Sequence, residues 1–579
     1  MTCQERILSN NYSDTLIDAI LPDDYQFDLL LDYCFHRITN EWGILYIERI
    51  GDVNYDIGQL AYSLTPKCYG LMECNALQSL NAAQNYDLNT LSLAESGILA
   101  VQREPLNLTG KNVTIGFIDT GIRYQEPVFK DFAGRSRIVS IWDQTIQTGT
   151  PPEGFEYGTE YTNEMINEAL ASENPLSIVP STDANGHGSV MASLAAGSPI
   201  DNGRFVGAAP DSQIAVVKLK EAKQYLRDYY KIPSGVPCYS EADILQAIQY
   251  LQKYALLLTR PLVICLGIGT SLGDHTGGGM LGNYIDYISM QKSRATVIAG
   301  GNEGNAAHHF FGEISVSETY QDVEIRVGED DKGFIMDLWG DAPYFYNAAI
   351  RTPGGEIARW NNPRSYIPQE FTFIYEKSRI VIEYQLVESL SGAEVIRFRF
   401  SNPTQGVWSI RISSEGNTIG GQFNIWLPVT DFLSADTYFL ESSPHTTITE
   451  PGYAHSATTV AGYQISNDSI AAFSGRGFAR DNYIVPDIAA PGVNVSSPFG
   501  DRSGTSVAAA ITAGGCAQFM EWAVVERNDI LVNSVNVKNY LIRGAERDSF
   551  MEYPNREWGY GRLDISGIFE FLAGIGRGI

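Results

Sequence analysis

Basic residues are scarce in this chain. Lysine and arginine number 40 against 68 aspartates and glutamates over 579 residues, a formal net charge of −28. A phosphate-rich partner needs a basic surface, so nucleic acid and an anionic membrane are excluded as the main partners. Long hydrophobic runs are missing too. No stretch of about 18 apolar residues is present, so no membrane span is expected. The first residues, MTCQERILSNNYSDTLIDAILPDD, lack the positively charged segment and apolar run of a secretory signal, so no signal peptide is expected. Cysteine is sparse. Seven occur, at 3, 34, 68, 74, 238, 265 and 516, an odd count with no CxxC pair. That argues against a zinc site or a disulfide framework and for free thiols.

What is present is a globular chain, 44% hydrophobic, long enough for roughly three to four domains. Residues 1 to about 91 read as a small mixed unit. YQFDLLLDYC and GILYIERIG are expected strands, NYDIGQLAYSL a short helix, and YDLNTLSLAESG a polar boundary. From about 98 the pattern becomes α/β. NVTIGFIDTG, QIAVVKL, PLVICLGIG and ATVIAGGNEG are apolar strands with helical stretches such as EADILQAIQYLQKYALLL between them. That alternation predicts a parallel sheet covered by helices on both faces. From about 311 to 445, segments such as SRIVIEYQLV, EVIRFRFSNP and GVWSIRISSEG alternate in polarity, which predicts an inserted antiparallel sandwich. The α/β pattern then resumes.

Ligands of open α/β sheets bind beyond the carboxyl ends of the strands. Asp119 ends one strand. His187 lies between Gly186 and Gly188 at the start of a small-residue helix. Ser506 lies in SGTSVAAA, another expected helix start. A serine hydroxyl needs a base to become a nucleophile, histidine titrates in the right range, and a carboxylate can hold the imidazole in the right tautomer. The small residues around Ser506 have a second reading, close packing of a buried helix. Asp119 alone could be a helix cap and His187 alone a turn residue, but a triad accounts for all three.

GFIDTGI, NGHGSVMASLAAG, AGGNEG and SGTSVAAA, in this order, resemble the four signature blocks of the subtilases over about 98–310 and 445–579. The order Asp, His, Ser is that family's. The resemblance implies a serine endopeptidase of subtilisin-like fold that needs no cofactor. In it Asp119 orients, His187 is general base and acid, and Ser506 is the nucleophile. Asn302 matches the oxyanion-hole amide, acting beside the Ser506 backbone N–H. Gly267, Ile268 and Gly269 match the edge segment that pairs with an extended substrate backbone. Two positions depart from the family pattern: Ala510 where proline is usual, and Gly300 where alanine is more frequent.

The same resemblance implies a prodomain over 1–91, catalytic parts over 92–310 and 446–579, and a jelly-roll-like insert over 311–445. It implies autocleavage near 86–96 with the prodomain remaining bound. The insert, SNPTQGVWSIRI and the missing signal peptide look most like the Csp germination proteases of spore-forming Clostridia. That likeness implies a cytoplasmic or spore-associated protein acting on a cortex-lytic pro-enzyme. Two alternatives stay open: a self-processed binding or signalling protein with its prodomain blocking the site, or a clostridial subtilase with no germination role. The adjacent pairs Asp274-His275 and His308-His309 are not read as metal ligands, GDHTGGG is read as a surface loop, the acidic run GEDD at 328–331 as a solvated turn, and Cys516 as a buried hydrophobe.

Overall fold

The computed structural model describes residues 1–18, 34–49, 62, 65–73, 87–329, 331–359, 368–415 and 420–574. The expected strand at YQFDLLLDYC and helix at NYDIGQLAYSL lie almost wholly outside these residues.

The apolar runs become a central sheet. Its core strands are Thr458–Gln464, Arg294–Ala299, Leu262–Leu266, Thr114–Asp119, Gln213–Lys218 and Ile138–Asp143, side by side in that order. All these neighbours pair in parallel. Antiparallel edge strands close the two ends, and Ile488–Pro491 adds a further parallel pairing. The strands are buried along their length because helices cover both faces, as a parallel sheet requires. One face carries the fully buried helices His187–Ala196 and Thr505–Met520. The other carries Glu241–Leu258 and Met280–Ser289.

The sandwich forms as its alternation predicts. Six strands in one antiparallel sheet and five in another enclose a core that includes Phe334, Phe400 and Trp408. Its strands run from His309 to Phe439. The insert covers residues that the sequence left in solvent. Asp274 and His275 are buried, and the His275 ring stacks on Trp426 at 3.8 Å. His308 and His309 are buried as well; His308 bonds to Glu303 at 2.8 Å and His309 to Asn424 at 3.0 Å. Asp331, expected in a solvated turn, is buried and accepts the Ser434 N–H at 2.9 Å.

At the N-terminus, Tyr12–Asp18, Trp42–Glu48 and Phe35–Arg37 form an antiparallel sheet. Its Leu16, Ile44 and Tyr46 join the apolar cluster beneath Glu241–Leu258. Cys3 and Cys34 are joined as a disulfide with Cα atoms 5.1 Å apart. This corrects the expectation of free thiols: the fold brings together two cysteines 31 residues apart, which a count cannot reveal. Among the described cysteines, 68, 238, 265 and 516 are free and buried.

Residues 86–96, expected to hold a boundary and a cut, largely form the helix Asp87–Glu95. Its Leu93 sits in the main core and Asn89 Nδ2 donates to the Val206 carbonyl oxygen at 2.9 Å. This stretch is built into the central body.

Candidate active site

The Thr114–Asp119 strand delivers Asp119 at its carboxyl end. Gly186, with φ of 95°, turns the chain so that His187 opens its helix. Both Asp119 carboxylate oxygens lie on His187 Nδ1, at 2.7 and 2.9 Å. Gly188 permits this approach, since a Cβ there would fall 2.3 Å from the Gly121 carbonyl oxygen. Burial works against the imidazolium, but the Asp119 charge and hydrogen bond, with lesser help from Glu73 and Asp183, outweigh it and lift His187 to about 9.

Ser506 is the second residue of the Thr505–Met520 helix. The close-packing reading of its small neighbours holds. A Cβ on Gly514 would fall 2.3 Å from the Ala208 Cβ and 2.7 Å from the Ala195 carbonyl oxygen. The small residues therefore let this helix close against the His187 helix. Gly267 marks where the two meet. A Cβ there would lie 2.9 Å from His187 Cε1 and 3.3 Å from Ser506 Cβ. His187 Nε2 and Ser506 Oγ are buried and have no hydrogen-bond partner among the described residues. They are the two atoms between which a base and a nucleophile would exchange a proton.

Asn302 stands beside them. Its Oδ1 accepts from the Thr505 N–H at 3.0 Å and the Thr505 hydroxyl at 2.9 Å. That fixes the amide with Nδ2 free of protein partners among the described residues, a donor held ready for an oxyanion. At the two departures from the family pattern, Ala510 sits in unbroken helix and a Cβ on Gly300 would meet the Val460 carbonyl oxygen at 2.9 Å.

The cleft is filled by the chain itself. Cys68–Leu71 is a strand held between two others. On one side Leu71 faces Ile268 and Gly70 faces Gly269; on the other Cys68 faces Ser240 and Tyr69 faces Tyr239. Next comes Met72, whose N–H donates to the Gly267 carbonyl oxygen at 2.9 Å. Its own carbonyl oxygen accepts the Ser506 N–H at 3.3 Å. Its thioether lies 3.6 Å from the Thr449 hydroxyl and 3.2 Å from where a Cβ on Gly269 would fall. Glu73 follows, its Oε1 2.7 Å from Arg502 Nε. The structure thus brings together all seven residues singled out in the sequence: Asp119, His187, Ser506, Asn302, Gly267, Ile268 and Gly269.

Several supporting residues escaped the sequence reading. Asp183 takes the Thr120 hydroxyl and the Gly186 N–H on one oxygen and the Ser189 hydroxyl and N–H on the other. It holds the turn that presents His187, and its position four residues ahead of the histidine was the available signal. Thr449, Arg502 and the segment 67–73 had no signal, because only the folded chain places them at the cleft. Among the described residues no group of acids, histidines and cysteines is arranged to hold a metal ion, and no helix is long and apolar enough to cross a membrane.

The profile of the Subtilase family matches residues 110–325 and 389–561. The subtilisin-like protease SBT3.6 of Arabidopsis thaliana is 32% identical over 217 residues, 34% of this chain and 26% of that protein. SBT5.4 of the same plant is 23% identical over 416 residues, 68% of this chain and 51% of that protein. The matches thus span from a quarter to about half the length of these relatives. Among solved structures, the Clostridium perfringens CspB protease superposes with a TM-score of 0.73 and 30% identity, over 84% of this chain and 98% of that one.

Proposed function

Because the chain belongs to the subtilase family, we propose that it is a serine endopeptidase that cuts itself between Met72 and Glu73. The observation that carries this is the Met72 carbonyl oxygen resting on the Ser506 N–H, with residues 70–72 paired to Gly267–Gly269 as a substrate backbone would be. Ser506 Oγ attacks the Met72 carbonyl carbon while His187 Nε2 takes its proton. Asp119 keeps the imidazole in the productive tautomer and stabilises its charged form. The oxyanion is received by the Ser506 N–H and the Asn302 amide. The tetrahedral intermediate collapses as His187 protonates the Glu73 amine, and water then hydrolyses the acyl-enzyme by the same steps in reverse. The prodomain is accordingly residues 1–72, shorter than 1–91.

After the cut, the N-terminal sheet and the strand 68–71 keep their contacts, so the fragment stays bound. A protein precursor is the substrate in trans, and a cortex-lytic pro-enzyme of spores extends this reading from the likeness to CspB. A second reading is a self-processed binding or signalling module with its tail plugging the site. It is favoured by the burial of Tyr69 and Met72 in the cleft.

Intact mass with a fluorophosphonate label tests both. The expected result is fragments 1–72 and 73–579, with Ser506→Ala left at 63.8 kDa. Cutting in that variant would remove Ser506 from the mechanism. A cut chain that takes the label is an open protease, and a cut chain that does not is the plugged form.

A further inference from the structure

Upstream of the paired strand, the tail enters a narrow cavity where it, the central body and the sandwich meet. Lys67 is delivered there between Tyr62 and Tyr69, which also line it. If Met72 precedes the cut, Lys67 is the sixth residue before it. Its backbone is clamped: the Lys67 N–H donates to Glu241 Oε2 at 3.0 Å, and the Glu241 N–H donates to the Lys67 carbonyl oxygen at 2.9 Å. Its ammonium lies 3.6 Å from the same carboxylate, both side chains buried, and 5.5 Å from the centre of the Tyr62 ring.

Two more acids of the central body share the cavity. Asp274 and Glu450 are 5% and 4% exposed. Glu450 Oε1 has no hydrogen-bond partner among the described residues. A Cβ on Gly273 would fall 2.7 Å from Glu450 Cγ, so the loop leaves room for this carboxyl to reach inward. Burial, the neighbouring Asp274 charge and Glu241 push its titration well up, and Lys67 opposes them. Arg480, the nearby arginine, is turned to Asp341 at 2.5 Å and the Asp274 carbonyl oxygen at 2.9 Å. Trp339 and Glu388 of the sandwich close the cavity.

We infer that Glu241, Asp274 and Glu450 form a subsite for a basic side chain six residues before the scissile bond, with the inserted sandwich as its outer wall. A buried cluster of acids without a cation is unfavourable, and an uncharged occupant would remove the one cation that stands beside the buried Glu241 carboxylate. The prodomain supplies the lysine in cis, and a substrate in trans carries a lysine or arginine there. The inference rests on the reading of residues 68–73 as a bound substrate.

The test is a time course of self-cutting in the full chain, made by cell-free synthesis and followed by intact mass. Lys67→Arg is expected to cut within about twofold of the unaltered chain. Lys67→Met, of similar length but uncharged, is expected to cut at least tenfold more slowly, and Lys67→Glu more slowly still. Folding is checked by the Tm of Lys67→Met in the Ser506→Ala background. If that Tm is unchanged and Lys67→Met cuts at the original rate after Met72, the subsite is refuted while the cleft reading stands. If the Tm falls, the charge swap Lys67→Glu with Glu450→Lys decides: recovered cutting supports the subsite and an uncut swap overturns it. If the unaltered chain is not cut after Met72, the cleft reading itself fails and this inference with it.

Discussion

Among the described residues of the first 73, the N-terminal sheet and the tail meet the central body in opposite ways. The N-terminal sheet is held by side chains. Leu16, Ile44 and Tyr46 sink into the cluster beneath Glu241–Leu258. Lys223 Nζ meets Asp14 Oδ1 at 2.6 Å, Gln246 reaches the Tyr46 hydroxyl at 3.0 Å, and Gln249 reaches the Arg37 carbonyl oxygen at 2.8 Å. The tail, residues 68–72, is held by its backbone, which any sequence can offer. An anchor specific to one sequence belongs to a permanent partner, whereas a clamp that reads backbone belongs to a catalyst that must accept more than one chain.

If the two contacts are separate in function, damage to one leaves the other intact. The largest expected effect is on the anchor. Asp14→Ala strands Lys223, which is 7% exposed, without its carboxylate. Loss of one partner of a buried pair costs about 3–5 kcal/mol. The fragment 1–72 should fall away from the cut enzyme on size-exclusion chromatography, with the cut still after Met72. A shifted cut site would show that the anchor also sets the register of the tail.

On the tail side, Asn302→Ala removes one oxyanion donor. Cutting should slow by about 10²–10³, with no loss of fragment binding once the cut is complete. A milder version is Thr505→Val, which keeps the backbone donor to Asn302 Oδ1 and removes the hydroxyl at 2.9 Å. Net hydrogen-bond contributions of about 0.5–1.5 kcal/mol predict a few-fold to roughly tenfold slower cut. An unchanged rate in Thr505→Val would mean that the hydroxyl does not position the amide, whereas a loss equal to that of Asn302→Ala would mean that the backbone bond alone cannot hold it.

Sequence legibility follows the same division. The grouping of Asp119, His187 and Ser506 was readable because each lies in a short block that resembles the family's signature and ends a strand or opens a helix. The sandwich was readable because a half-buried antiparallel sheet writes its alternation into the chain. The tail was not readable. TPKCYGLMECN carries no motif, since residues 70–72 pair through their main chain and the partners of Lys67 are brought to it only by the fold; the polar stretch at 86–96 was the visible signal. That stretch is built in because Leu93 joins the main core and Asn89 finds a partner 117 residues away, at Val206. The burial of Asp274, His275 and Asp331 was hidden for a related reason, since the sandwich that covers them packs across a long sequence gap.

The smallest expected effect joins the two regions through His187. Glu73, just past the proposed cut, is one of the charges that raise this imidazole to about 9. His187 must be neutral to take the Ser506 proton, so self-cutting should speed up as pH rises towards 9. Glu73→Gln removes one raising charge, so its profile should turn at lower pH with the plateau rate little changed. Stability runs the other way. A histidine raised above its ordinary value of about 6.5 stabilises the folded chain fully below that pH, and the contribution is lost as pH rises through about 9. The uncut Ser506→Ala chain should therefore lose part of its Tm between about 6.5 and 9, and Glu73→Gln should bring the upper end of that window down. A cutting profile of Glu73→Gln that coincides with that of the unaltered chain would mean that Glu73 spends its charge on Arg502, 2.7 Å away, and that His187 is tuned from within the body alone.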